Sequence, residues 1–68
     1  MVGIQFSVRD YSGSLYSSNR YDVYEVLEVK GEYCICKMIA SDYVHNINPE
    51  YRANFSIEDV IKYNEEYK

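Results

Sequence analysis

Two stretches of the sequence alternate apolar and polar residues without a break, and this pattern constrains the fold more than any other feature. In the first stretch, residues 2–9, the apolar positions are Val2, Ile4, Phe6 and Val8. In the second stretch, residues 51–58, they are Tyr51, Ala53, Phe55 and Ile57. A period of two places one set of side chains on the core face of a pleated strand and the other set in water. The pattern therefore predicts a small β-domain that is mostly antiparallel.

The middle of the sequence predicts a β-hairpin between two long polar loops. Residues 21–30 and 33–40 have the composition of strands, and Gly31-Glu32 joins them. A glycine at the first position of a two-residue loop suits a type II′ turn. Both strands carry apolar residues on two faces, which is typical of a curled sheet or a barrel wall, or of a sheet with a helix on one side and a partner on the other. The adjacent apolar pair Val26-Leu27 indicates a possible β-bulge. The flanking loops cover residues 10–20 and 41–50.

The C-terminal segment predicts a short helix from about residue 57 to residue 67. Ser56 followed by Asp59 resembles a capping box, and the acidic pair Glu58-Asp59 suits the positive end of a helix. With Asn64 as its polar interruption, one helical stripe carries Ile57, Val60, Ile61 and Tyr67. The alternative is a single 3₁₀ turn at residues 58–59, followed by a last strand at residues 60–63. The predicted class is mainly β, with four to five curled strands and a short C-terminal helix or 3₁₀ turn.

The length of 68 residues predicts one domain with a core near the minimum size, so we expect association into a homodimer. The two cysteines, Cys34 and Cys36, would lie on one strand face about 7 Å apart, too far for an undistorted disulfide. Together with His45, the single histidine, they fall short of the four ligands of a structural zinc. Both cysteines are interpreted as small buried hydrophobes, and neither a metal nor a cofactor is expected.

Charge and hydropathy restrict the location and the class of partner. No segment resembles a signal peptide, and no run approaches the ~20 apolar residues of a membrane span, so a cytoplasmic protein is expected. The net charge of −4, from eleven acidic and seven basic residues, argues against direct binding to nucleic acid, which requires a basic surface. The abundance of amino acids with AT-rich codons, including nine tyrosines, favours a low-GC bacterium or its phage as the source.

No catalytic motif is present, and we do not expect an enzyme. No motif connects the single histidine to a serine or a cysteine, and a thiol buried in a strand lacks the accessible setting of a reactive cysteine. Glu25 and Glu28 lie three positions apart in a strand, which predicts opposite faces. Together with Asp22 and Glu32, they are interpreted as a solvated acidic rim that protects the hairpin from edge pairing.

The two polar loops contain the side chains most suggestive of function. Tyrosines set among serine, glycine and asparagine are typical of adaptable recognition surfaces. The alternative is that some of the rings cover the small core. The predicted partner-binding residues are Tyr11, Tyr16, Tyr43, His45, Glu25, Glu28 and Glu32.

The order of predicted elements resembles the SH3-like small barrel. A strand, a long polar and aromatic loop, a tight hairpin and a further strand precede Glu58-Asp59-Val60-Ile61, where that family has a 3₁₀ turn before its last strand. The resemblance implies that the loop after the first strand helps to line a binding groove. The chain has no tryptophan, the residue with which peptide-binding members hold proline-rich segments, so that ligand class is not expected.

A small, acidic, tyrosine-rich chain without catalytic residues also resembles the accessory proteins of phages and mobile elements, including anti-CRISPR inhibitors. The resemblance implies an inhibitor that occludes a basic site on a host protein. We therefore expect a non-enzymatic binding protein that acts by contact with a macromolecular partner. The alternatives are a small-ligand or nucleotide-binding module that uses the tyrosine-bearing loops, and a structural dimerising subunit. The nucleotide alternative lacks a glycine-rich phosphate cradle.

Overall fold

The computed structural model describes residues 1–10, 20–42 and 44–67, and these form a four-stranded antiparallel sheet followed by a helix. The elements are β1 (Gln5–Asp10), β2 (Arg20–Lys30), β3 (Tyr33–Ser41), β4 (Ala53–Ser56) and α1 (Ile57–Tyr67). The strands lie in the order β1-β2-β3-β4, and the sheet curls into a half-barrel. The predicted class is confirmed, with the C-terminal helix rather than a 3₁₀ turn and a last strand. No helix among the described residues is both long and apolar enough to span a bilayer.

The turn between β2 and β3 has the predicted geometry. Gly31 adopts a φ of +60°, whereas Glu32 does not have a positive φ. A type II′ turn requires a positive φ at its first central residue only, so glycine is the residue that fits there. The turn is tied to the helix as well, because the Ile57 amide donates a hydrogen bond of 3.1 Å to the Glu32 carbonyl.

Two β-bulges bend β2 against β3. The register shifts between Val23 and Tyr24 and again between Val26 and Glu28, where Leu27 has no partner in β3. The bulge predicted at the Val26-Leu27 pair is thus confirmed. Because a bulge increases the local twist of a strand pair, these two irregularities help to curl the sheet.

The second bulge also corrects the expected placement of two acidic residues. Glu25 lies opposite Lys37, and Glu28 lies opposite Ile35. Lys37 and Ile35 are two residues apart on β3 and share one face, so both glutamates lie on the convex face of the sheet. The prediction of opposite faces was wrong because the extra residue Leu27 shifts the alternation by one.

The core lies between the concave face of the sheet and α1. Both cysteines are free and fully buried there, as the sequence predicts. On the convex face, Tyr33 and Ile39 are exposed and Ile35 is half-buried, so the hairpin is not buried on both sides throughout. The buried core residues are Phe6, Tyr24, Val26, Cys34, Cys36, Met38 and Val60.

The helix α1 begins as its sequence predicts, but of the predicted stripe Val60 is buried and Ile57 half-buried, whereas Ile61 and Tyr67 are exposed. The Ser56 hydroxyl accepts a hydrogen bond of 3.1 Å from the Asp59 amide, which satisfies one free donor of the first turn. Val60 is fully buried, but Ile61 is 51% exposed. Tyr63, half-buried against the core, takes the place that the predicted stripe gave to Ile61. The following residue, Asn64, donates 2.7 Å from Nδ2 to the backbone carbonyl of Gln5 in β1.

Candidate binding site at the mouth of the half-barrel

A pocket of about 420 Å³ opens at the end of the concave face that lies away from the Gly31-Glu32 turn. Strands β1, β2 and β4, the segment before β4 and the helix all contribute to it. We call this pocket the mouth. Among the residues that the structure describes, those that line it are Val8, Arg9, Asp22, Tyr24, Tyr51, Phe55 and Tyr63.

Of the four aromatic rings that the described residues contribute to the mouth, three pack against Phe6. The Phe6 ring is fully buried, and its centroid lies 5.1 Å from that of Phe55, 5.8 Å from that of Tyr24 and 6.1 Å from that of Tyr63. The Tyr24 and Phe55 rings meet at 4.9 Å with an interplanar angle of 60°. Edge-to-face and offset arrangements of this kind stabilise aromatic clusters. The packing fixes these rings as walls of the mouth.

The fourth ring, Tyr51, is 49% exposed and is positioned by its backbone. The Tyr51 amide donates 3.1 Å to the Asn48 carbonyl, and the Glu50 amide donates 2.9 Å to the Asn48 side chain. Arg52 donates from Nη1 to the carbonyls of Pro49 and Tyr51 at 2.8 and 2.9 Å. These bonds hold the turn before β4, so the ring stands at the rim of the mouth.

Asp22 supplies a carboxylate that is only 5% exposed. It alternates with Tyr24 and Val26 along β2, which places it on the concave side. The Ser41 hydroxyl donates a hydrogen bond of 2.5 Å to Oδ1 of Asp22 and accepts one of 3.0 Å from the Val44 amide. Burial of a carboxylate requires such hydrogen bonds to offset lost hydration. The prediction that Asp22 belongs to a solvated rim was therefore wrong.

Arg9 lines the edge of the mouth, but its side chain leaves the sheet on the convex side. Arg9 lies opposite Tyr21, and Val8 lies opposite Asp22 in the neighbouring pair of the ladder. Because neighbouring pairs point to opposite faces of a sheet, the Arg9 and Tyr21 side chains leave on the convex side. The guanidinium carbon of Arg9 lies 5.1 Å from the centroid of the Tyr21 ring.

A second pocket, of about 310 Å³, shares Tyr51 with the mouth. Met38 from β3 and the half-buried Val44 and Ile47 from the loop before β4 line it, together with Asn46 and Asn48. Tyr51 therefore lines two neighbouring openings.

The predicted tyrosine surface cannot be compared with this site, because Tyr11, Tyr16 and Tyr43 lie outside the described residues. His45 is exposed in the loop between β3 and β4 and does not line the mouth.

The predicted acidic residues do not meet at one site either. Glu25 accepts a hydrogen bond of 3.2 Å from Gln5 and lies 3.9 Å from the Lys37 ammonium. Glu28 is exposed on the same convex face, and Glu32 is exposed in the turn. None of these three carboxylates lines the mouth.

The described residues contain no group of three or more His, Cys, Asp or Glu side chains arranged to hold a metal ion. Burial, together with the neighbouring Cys34, raises the pKa of the Cys36 thiol to about 11. A thiol with a raised pKa is neutral at physiological pH and is a poor nucleophile. Neither feature supplies a reactive centre.

The sequence reasoning did not identify the mouth. Its rings belong to a strand, a turn, a second strand and a helix, which only the tertiary fold brings together. The sequence nevertheless contains one signal. In the alternation of faces along β2, Asp22 falls on the same face as the apolar Tyr24 and Val26. A carboxylate at a core-facing position of a strand indicates either that the two faces of the strand have been assigned the wrong way round or that the core contains a polar site.

In comparisons with known proteins, no family model, no curated protein and no solved structure matches the chain.

Proposed function

We propose that the chain is a non-enzymatic binding protein that contacts a partner protein through the mouth of its half-barrel. The observation that carries the proposal is the lining of the mouth, to which the described residues contribute four aromatic rings and a carboxylate that is 5% exposed. Aromatic side chains dominate the energetics of protein interfaces because they offer a large apolar area at a small cost in conformational entropy. A side chain that projects from a partner can enter the opening beside the half-exposed Tyr51.

The partner that fits best has a basic surface. The chain carries a net charge of −4, and both Glu28 and Glu32 are exposed outside the mouth. Complementary charge speeds encounter between proteins and suppresses binding to partners of the same sign. As an inhibitor, the protein would occlude the basic site on which it docks, and a phage or mobile-element origin is one setting for such a protein.

The proposal is tested by affinity capture from the lysate of a low-GC bacterium, with mass spectrometry of the captured proteins and a salt series. Wild type is compared with Tyr51→Ala and with Tyr33→Ala, a matched control because Tyr33 is 43% exposed and does not line the mouth. We expect one dominant partner that the Tyr33 variant retains and the Tyr51 variant loses. Capture that is equal for all three chains would contradict the proposal.

A second candidate function is the binding of a small free ligand. The mouth, at about 420 Å³, falls in the range of roughly 300–1,000 Å³ that is usual for small-ligand sites. A thermal-shift screen with nucleosides, nucleotides and amino acids separates the two candidates. A ligand that binds only the folded chain raises the midpoint of unfolding as its concentration rises. A rise that Tyr51→Ala abolishes would replace the proposed function with this one.

Self-association is part of the proposal, because a core of this size gains stability when two copies bind. Sedimentation velocity over a hundredfold range of concentration tests it. A sedimentation coefficient that stays at the monomer value throughout would remove the homodimer from the proposal.

A further inference from the structure

We infer that the protein binds an amphipathic carboxylate, a small ligand with an apolar body and one anionic group, in a groove between β2, β3 and the segment before β4. The groove has a volume of about 400 Å³, within the range of roughly 300–1,000 Å³ that is usual for small-ligand sites. It shares no described lining residue with the mouth. The inference therefore goes beyond the proposed function and does not depend on it.

The floor of the groove is apolar because both β-bulges of the sheet contribute to it. The register of β2 against β3 leaves Leu27 without a partner at one bulge and Ile39 without a partner at the other, and both residues line the groove. Leu27 is half-buried, whereas Ile39 is 36% exposed. Bulges often redirect a side chain next to a functional site. The rest of the described apolar lining, which adds contact area for a hydrocarbon body, is Met38, Ile47 and Pro49.

Two cationic side chains, those of Lys37 and Arg52, also line the groove. The last pair between β3 and β4 is Cys36 with Ala53. Lys37 follows Cys36 and Arg52 precedes Ala53, so the antiparallel geometry brings the two cations side by side. Like charges at directly opposed positions destabilise a sheet. A bound carboxylate would replace this repulsion with attraction.

The contacts that these two cations already make leave their charges available to a ligand. Arg52 donates from Nη1 to the carbonyls of Pro49 and Tyr51 at 2.8 and 2.9 Å, which positions the guanidinium through uncharged acceptors. The Lys37 ammonium lies 3.9 Å from the Glu25 carboxylate, with side chains that are 42% and 27% exposed. An ion pair of this exposure contributes little. A guanidinium group, by contrast, can bind a carboxylate with two parallel hydrogen bonds.

The neighbouring acidic groups do not reverse the sign of the groove. Glu25 offsets part of one positive charge, and the exposed Glu50 does not line the groove. Of the side chains that the structure leaves undescribed, Asp10 alone is acidic. It lies opposite Arg20 in the last pair of the β1–β2 ladder, whereas Glu25 belongs to the first pair. The described lining thus carries two positive charges and no negative one.

The test is a titration of the ¹⁵N-labelled chain with hexanoate, followed by NMR at constant ionic strength. Hexanamide has the same apolar body without the charge, acetate has the charge with almost no apolar body, and hexylammonium reverses the charge. We expect hexanoate to shift the amide signals of Lys37, Ile39 and Arg52. It should bind about fivefold or more tightly than hexanamide and acetate, and hexylammonium should not shift these signals.

Variants assign the contributions of charge and apolar contact. Lys37→Gln and Arg52→Gln should each weaken hexanoate binding several-fold, whereas Lys30→Gln, which changes the net charge equally at an exposed position outside the groove, should have no effect. Glu25→Gln removes the anion that competes for Lys37 and should strengthen binding about twofold. Ile39→Ala should weaken hexanoate binding several-fold and leave acetate binding unchanged. If Arg52→Gln does not fold, the comparison of Lys37→Gln with Lys30→Gln decides the question.

Equal binding of hexanoate and hexanamide, equal binding of hexanoate and acetate, or equal effects of Lys37→Gln and Lys30→Gln would overturn the inference. The absence of any shift with hexanoate would overturn it as well. None of these results bears on the proposed function, which fails only if the captured partner is indifferent to Tyr51→Ala.

Discussion

Replacing Phe6 by leucine should destabilise the domain and loosen the mouth together. The Phe6 ring is fully buried and contacts the rings of Phe55, Tyr24 and Tyr63 at centroid distances of 5.1, 5.8 and 6.1 Å. All three of those rings line the mouth. Leucine keeps an apolar side chain in the core, but it removes every one of these ring contacts.

The size of the effect follows from the three contacts. Each aromatic pair contributes about 0.5–1.5 kcal/mol beyond its buried area, and the smaller side chain leaves part of the ring volume empty. The expected loss in the free energy of unfolding is about 2–3 kcal/mol, since the three contacts share one ring. At roughly 0.05–0.15 kcal/mol per residue, the whole domain has only about 3–10 kcal/mol of stability. Phe6→Leu should therefore lower the midpoint of thermal unfolding by about 10 °C or more.

The assay is urea and thermal unfolding followed by far-UV circular dichroism, with the near-UV tyrosine signal as a second probe. Tyr33→Leu is the control, because Tyr33 is an exposed ring outside the core cluster, and it should change stability by less than about 0.5 kcal/mol. A loss below about 0.5 kcal/mol for Phe6→Leu, or equal losses for both variants, would refute the central role of this ring. The near-UV signal should weaken in the Phe6 variant even where it remains folded.

Val60→Ala should cost about 1–2 kcal/mol, whereas Ile61→Ala, at a position that is 51% exposed, should cost less than about 0.5 kcal/mol; urea unfolding checks both, and equal losses would contradict the placement of the helix. Ser56→Ala removes the N-cap and should cost about 1 kcal/mol in the same assay. At pH 8, iodoacetamide should label Cys36 far more slowly in the native chain than in 6 M urea, because the pKa of the thiol is about 11. In the unfolded chain this thiol has its ordinary pKa of 9.0, so it loses its proton at a lower pH than in the folded chain. The contribution of Cys36 to the free energy of unfolding should therefore fall between about pH 9 and pH 11. Cys36→Ala should show a shallower dependence of stability on pH in that range.

The sequence predicts this fold well where one simple periodicity decides the structure. Phe6 lies in an unbroken alternation and is fully buried, and the capping residue Ser56 is followed at once by α1. The prediction is weaker where one inserted residue reverses the alternation of side chains between the two faces of a strand. Leu27 has no partner in β3, and for that reason Glu28 lies on the convex face. Ile61 is exposed whereas Tyr63 packs against the core, and helical periodicity alone does not decide which of these two nearby positions faces the sheet.

The mouth was beyond sequence prediction for a different reason. Asp22 and Tyr24 are neighbours on one strand, but Tyr51, Phe55 and Tyr63 reach them only through the pairing of β3 with β4 and the docking of α1. Local patterns report the environment of each residue separately. The meeting of distant side chains depends on strand order, bulges and helix packing, which these patterns leave open.

The hydrogen bond between Asn64 and Gln5 has a consequence for the order in which the chain can fold. It joins residues 59 positions apart, whereas β2 and β3 are joined by a two-residue turn. Contacts that close short loops form fast, and contacts between distant parts of the chain form late. During folding, the hairpin can therefore form before α1 docks. Until α1 docks, the Phe6 ring lacks its contact with Tyr63 and has no helix to cover it.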